Sequence, residues 1–241
     1  MSREPAVLTL DLGGRRVPIL LTRGKGARIR ISVLSNGQVR ANAPRRVTDE
    51  EFLAFAREKS GWIKRTLKKV ESYTRLAAPG RAETDDTISI LGERYPVQVE
   101  KSARPSARFG GGILTVRVPR PDDAEAVRKR LEDWLRRRAE GVFALVLGRC
   151  LKAAAVHGVP APREWTVRRM KRRWGSCGRD GRIVFNVRLV QTPLRLVEYV
   201  ILHELCHLRH HNHGRNYYAL LSRCLPDWKE RRKELGRIVV D

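Results

Sequence analysis

The N-terminal part of the chain alternates polar and apolar side chains. In Arg28-Ile29-Arg30-Ile31-Ser32-Val33 every second residue is apolar, the period of a strand with one buried face. Asn36-Gly37 follows, a dipeptide that accepts the positive φ angles of a tight hairpin turn. Val39 to Ala43 supplies a returning strand, and Pro44 stops it. The first 45 residues therefore predict antiparallel strands. The pattern then changes: Thr48-Asp49-Glu50-Glu51 matches a capping box, in which the Thr48 hydroxyl accepts from a backbone N–H and Glu51 reaches back. A helix is expected from about Asp49 to Tyr73, with Phe52, Phe55, Trp62, Ile63 and Leu67 on its buried side.

Ala77-Ala78-Pro79-Gly80 reads as a connector. Strands resume at Thr87 to Ile90, Tyr95 to Val99 and Ile113 to Val118. A second long helix is expected from near Asp122 towards His157. Val127, Leu131, Leu135, Val142, Leu145 and Val146 recur there at helical intervals, and Gly158 and Pro160 mark its end. The two segments echo each other. Gly37, Pro44-Arg45, Asp49 and Trp62-Ile63 recur in the same order as Gly112, Pro119-Arg120, Asp123 and Trp134-Leu135. Chance or shared local chemistry accounts for the echo about as well as duplication does.

Beyond it, Trp165-Thr166-Val167 and Ile183-Val184-Phe185 read as strands around a basic, glycine-containing loop, Arg173-Trp174-Gly175-Ser176-Cys177-Gly178. Thr192-Pro193 offers an N-cap and a proline at the first helical position. The helix it opens should run to about Leu208. Leu194, Leu196, Val197, Val200, Ile201, Leu205 and Leu208 leave that helix almost apolar all round, the mark of a core element.

Composition narrows the picture. No apolar run approaches the roughly 18 residues of a membrane span, and the N-terminus lacks the apolar core of a signal peptide, which predicts a cytoplasmic protein. The four cysteines are scattered without a CxxC pair, which argues against a disulfide framework or a cysteine-only zinc site. A net charge of +24 in 241 residues draws a protein towards polyanions or acidic substrates. The basic residues are spread along the whole length without aromatic interleaving, so charge alone is the case for nucleic acid.

The chemistry lies in His203-Glu204-Leu205-Cys206-His207. Histidines four apart on a helix project from one face and can take adjacent corners around one zinc ion. Glu204 follows the first histidine and points beside the metal, where a carboxylate activates a zinc-bound water. A third ligand is required. His210 rises about 10.5 Å beyond His203 on a straight helix, too far to share one ion. Asn212 and Gly214 supply a turn, which favours His213 over His211, with Glu230 or Glu234 as the remaining alternatives. Tyr217, one helical turn beyond His213, is expected to pack or to place its hydroxyl near the reacting carbonyl. Ser176 and Cys177 lack a second histidine cluster to activate them as nucleophiles.

Met170-Lys171-Arg172-Arg173-Trp174-Gly175-Ser176-Cys177, the HExxH segment, Asn212-His213-Gly214 and Leu225-Pro226-Asp227-Trp228 together resemble the YgjP-like metallopeptidases, relatives of the SprT-like group. Pro44-Arg45 and Lys59-Ser60-Gly61-Trp62-Ile63 fit the same pattern, so the resemblance covers nearly the whole chain. It implies a zincin-like fold in the C-terminal half, with His203, His207 and His213 as zinc ligands and Glu204 as the catalytic residue. Cys206 stands where a small residue is common in the family and is expected to pack. The fold expected is α+β: a strand-and-helix region over residues 1–120, then a zincin-like metallopeptidase domain over 121–241 that carries the HExxH helix. The function expected is zinc-dependent hydrolysis of peptide bonds in a peptide or protein substrate, without a membrane partner. The rival readings are a basic nucleic-acid-associated protein with a structural or vestigial zinc site, and a protease recruited to nucleic acid. Glu204 weighs against a purely structural site, which has no use for a base that is not a ligand.

Overall fold

The computed structural model describes residues 5–34, 37–71, 74–76 and 87–240, and the chain divides into two compact units, Met1–Thr74 and Arg75–Asp241. It is an α+β protein. The first unit opens with β1 (Ala6–Asp11), β2 (Arg16–Gly24), β3 (Arg30–Val33) and β4 (Val39–Pro44), in the spatial order β1-β2-β4-β3. The β1–β2 and β3–β4 pairs are antiparallel, and a parallel β2–β4 pair joins them, with Ile19 opposite Val39. Gly37 takes the positive φ expected of the turn between β3 and β4; Asn36 lies outside the described residues, as do Tyr73 and the connector Ala77 to Gly80. The inward residues of the strands, among them Val17, Ile19, Leu21, Val39 and Ala41, close a core on Phe52, Ala56, Ile63 and Leu67.

The last four sit on two helices, where the pattern predicts one: α1 (Asp49–Glu58) and α2 (Ser60–Glu71). The capping box forms as expected, with Glu51 N–H donating to Thr48 Oγ1 at 3.1 Å and Thr48 N–H to Glu51 Oε2 at 2.8 Å. Lys59 ends α1, and Ser60-Gly61, both weaker helix formers than alanine, begin α2 after the break. The break sets the buried stripe of α2 at Ile63, Leu67 and Val70, so Trp62, about 100° round from Ile63, is 42% exposed rather than buried.

β5 (Thr74–Leu76) lies at the boundary between the units. The second unit then repeats the layout of the first: β6 (Thr87–Ile90), β7 (Glu93–Lys101), β8 (Ser106–Gly110) and β9 (Ile113–Val118), in the order β6-β7-β9-β8, lead into α3 (Ala124–Ala155). Its two outer pairs are again antiparallel and the central β7–β9 pair parallel. The sequence echo is thus a repeat of topology, down to a side-chain cap on the following helix (Thr48 for α1, Asp123 for α3). β8 carries no clear alternation and is not foreseen by the pattern. The division between compact units lies at 74/75, and Ile88, Ile90, Leu114, Val116 and Val118 share one core with Val127, Leu131, Trp134 and Leu135 of α3. Further along α3, Val146 takes the inward position and Leu145 is left 75% exposed.

The rest of the second unit frames the site. β10 (Glu164–Arg168), β11 (Gly175–Cys177) and β12 (Arg182–Asn186) form a sheet in the order β10-β12-β11, with β11 antiparallel to β12 at one edge. A 3-10 turn, Val187–Gln191, leads to α4 (Leu194–His207), followed by α5 (Arg215–Cys224), α6 (Trp228–Leu235) and β13 (Ile238–Val240). Thr192 does not cap α4: its hydroxyl donates to the Leu189 carbonyl at 2.8 Å and closes the 3-10 turn instead, so that Pro193 stands at the cap. The β6–β7 turn docks here. Gly92, at φ +92°, donates to the Gln191 carbonyl, and a Cβ on it would come within 2.9 Å of Pro193 Cγ. α4 is the central element of the core, burying Leu196, Val197, Val200, Ile201, Leu205 and Cys206. Among the described residues, no helix is long and apolar enough to cross a membrane.

Candidate metal centre

α4 ends at His207, and the turn from Leu208 to Gly214 brings the chain back before α5 begins. Arg209 fastens this turn, donating to the carbonyls of His157 and Gly158 just beyond α3, both at 3.0 Å. The result places His213 beside the two histidines of the helix. Its Nε2 lies 3.1 Å from His207 Nε2 and 3.2 Å from His203 Nε2. Among the described residues, these three are the one group of His, Cys, Asp or Glu side chains that could hold a metal ion. The ring of His210 is not part of it, although its backbone carbonyl is used. His211 lies on the wall of the adjoining cleft. Of the carboxylate alternatives on α6, Glu234 pairs with Arg195, and Glu230 is exposed.

The tautomers follow from the partners. His207 Nδ1 lies 3.0 Å from the His210 carbonyl, which only accepts, so Nδ1 carries the proton and Nε2 a lone pair. His203 Nδ1 lies 2.7 Å from the Tyr217 hydroxyl, which in turn donates to the His203 carbonyl at 3.1 Å. With that proton committed, His203 Nδ1–H donates to the phenol oxygen, and its Nε2 also presents a lone pair. Burial, reinforced by His207 and His213, lowers the His203 pKa to about 3, and burial lowers that of His207, so both rings are neutral at pH 7. Two lone pairs and a third imidazole nitrogen converging at this range leave an electron-rich point that fits a cation. Corners of a tetrahedron with zinc–nitrogen bonds of about 2.0–2.1 Å lie about 3.3–3.4 Å apart, close to the two separations from His213.

Tyr217 is fully buried on α5. Its hydroxyl is engaged with His203 at both the ring and the carbonyl, an arrangement of the kind by which carboxylates and carbonyls orient metal-bound histidines elsewhere. Its position one turn beyond His213 is legible in the sequence; its direction is not. Asn186 gives no signal in the sequence. It is fully buried, donates to the carbonyls of Met170 and Arg173, both at 2.8 Å, and accepts from Arg188 N–H at 3.1 Å. Those bonds hold the basic loop as it enters β11.

That loop lies directly over Glu204. A Cβ on Gly175 would stand 2.6 Å from Glu204 Oε1 and 2.7 Å from its Cγ, so only glycine lets strand and carboxylate approach this closely. Glu204 is 5% exposed, and burial pushes its carboxyl up to about 8 against the pull of the Arg173 guanidinium. Glu204, the three histidines, Gly175, Ser176 and Cys177 open onto one cleft of about 390 Å³. Burial pushes the Cys177 thiol up to about 11, with Glu204 adding to the effect, so it is not a thiolate at neutral pH. Cys206 is fully buried, as its packing role requires.

A mixed α+β unit in which two imidazoles and a buried carboxylate of α4 meet a third imidazole from the following turn is a candidate centre for metal-assisted hydrolysis. A family description of the YgjP-like metallopeptidase domain matches residues 27–238. The chain belongs to that family. A comparison with curated proteins brings out no match.

Proposed function

We propose that the protein is a zinc-dependent metallopeptidase of the HExxH type, with His203, His207 and His213 as ligands and Glu204 as the general base. The observation that carries this reading is the convergence of three imidazole nitrogens beside a buried carboxylate that is not one of them. A zinc ion held by these rings supplies Lewis-acid chemistry and a water whose pKa falls towards about 7. The protein's own groups do the rest. Glu204 takes a proton from the attacking water and returns it to the leaving amine. Tyr217 and the His210 carbonyl hold the rings of His203 and His207 in register. β11 is an edge strand, so its outer side can pair with an extended peptide passing over Glu204. Gly175 keeps that passage close. The four cysteines are free, which fits a reducing, cytoplasmic setting.

Glu204→Gln tests the assignment. The variant should keep its zinc, because the ring nitrogens are untouched, and lose hydrolysis of a peptide library that the unaltered protein cleaves. Metal analysis and end-group mass spectrometry on the same preparation read both. Undiminished cleavage would sink the role of Glu204.

A further inference from the structure

The cleft has a sign. Arg173 and Arg179 both line it, on either side of β11, and among the described residues Glu204 is the one acidic side chain on its walls. Both arginines are exposed, and neither side chain has a hydrogen bond or ion pair among the described residues. The nearest carboxylate in sequence, Asp180, faces Arg182, which also meets Glu164. A second hollow, of about 410 Å³, shares His211 and Asn212 with the cleft and adds Arg209 and Arg215, again without an acidic residue. Guanidiniums that flank a substrate-pairing edge without a hydrogen bond or ion pair of their own are forks for carboxylates, and Arg173 already acts on the Glu204 carboxyl from this position.

We infer that the site selects peptides carrying acidic side chains on both sides of the scissile bond, with Arg173 and Arg179 as the specificity-determining cations. This deepens the peptidase reading and rests on it. The net charge of the whole protein brings acidic segments to the surface; these two residues choose among them at the site.

The test measures binding apart from turnover. Zinc-loaded Glu204→Gln protein is titrated, by fluorescence anisotropy, with short labelled peptides identical except for Glu, Gln or Lys flanking the central bond. The Glu peptide should bind more tightly than the Gln peptide by about three- to fivefold per arginine, the scale of an exposed ion pair. The difference should shrink between about 0.1 and 1 M salt, as the screening length falls from about 10 to about 3 Å. Adding Arg173→Glu and Arg179→Glu should reverse the order in favour of the Lys peptide. Arg65→Glu with Lys68→Glu, the same charge change in the first unit, should leave the order intact. Equal affinities for the three peptides, or an acidic preference that survives the Arg173/Arg179 exchange, would overturn the inference. Turnover of the same peptides by the unaltered enzyme separates the two claims. Charge-selective binding without hydrolysis would count against the peptidase reading alone, and hydrolysis without charge preference against the inference alone.

Discussion

At the scale of the residue, backbone direction decides which histidine joins His203 and His207. His210 and His211 lie closer to the helix in sequence than His213, yet the turn sends one ring outside the donor group and the other to the cleft wall. The His210 backbone contributes all the same, by fixing the tautomer of His207. Replacing a ligand should weaken zinc binding well beyond the 10–100-fold typical of an orienting partner. His213→Ala should therefore emerge zinc-depleted from dialysis against a mild chelator, while His210→Ala and His211→Ala, which leave the peptide carbonyl in place, stay near the unaltered stoichiometry. Full retention of zinc by His213→Ala would move the third ligand elsewhere.

At the scale of the element, the site depends on how α4 meets β11. α4 alone supplies His203, Glu204 and His207; the approach of the strand encloses them. Gly175→Ala puts a methyl group where the Glu204 carboxylate lies. Because Glu204 is buried, it has little room to retreat, and overpacking of this kind costs about 1–3 kcal/mol. The expected outcome is a fall in kcat of at least about tenfold, with zinc content kept and Tm lowered. Unchanged kcat in a crystal structure showing Glu204 undisplaced would mean that the strand yields instead. The same scale explains where patterns mislead. The register of α2 and the middle of α3 are set by the cores they cover, which is why Trp62 and Leu145 point outward.

At the scale of the molecule, the excess of 50 Lys and Arg over 26 Asp and Glu shapes every encounter. If that surface also serves nucleic acid, affinity for DNA or RNA should fall with salt at a log–log slope near −0.9 for each phosphate contacted. No measurable binding at about 50 mM salt would leave the charge to solvation and to acidic substrates. The repeated four-strand-plus-helix layout belongs to this scale too: one copy closes its own core, and the other shares the core of α4.

Much of this protein is written locally. Period-two alternation, the Thr48–Glu51 capping box, Gly158 after α3 and the apolar helix bearing HExxH depend on contacts within a few residues, and they stand in the structure where the sequence puts them. The pairing of β2 with β4, the break at Lys59, the boundary at 74/75 and the approach of Gly175 to Glu204 do not. Nor do the bonds from Tyr217 to His203 and from Asn186 to the basic loop. Each joins groups brought together only when separate elements bury their apolar faces on one another. A residue's type states what it can bond to, and the packing of distant segments decides which partner is within reach.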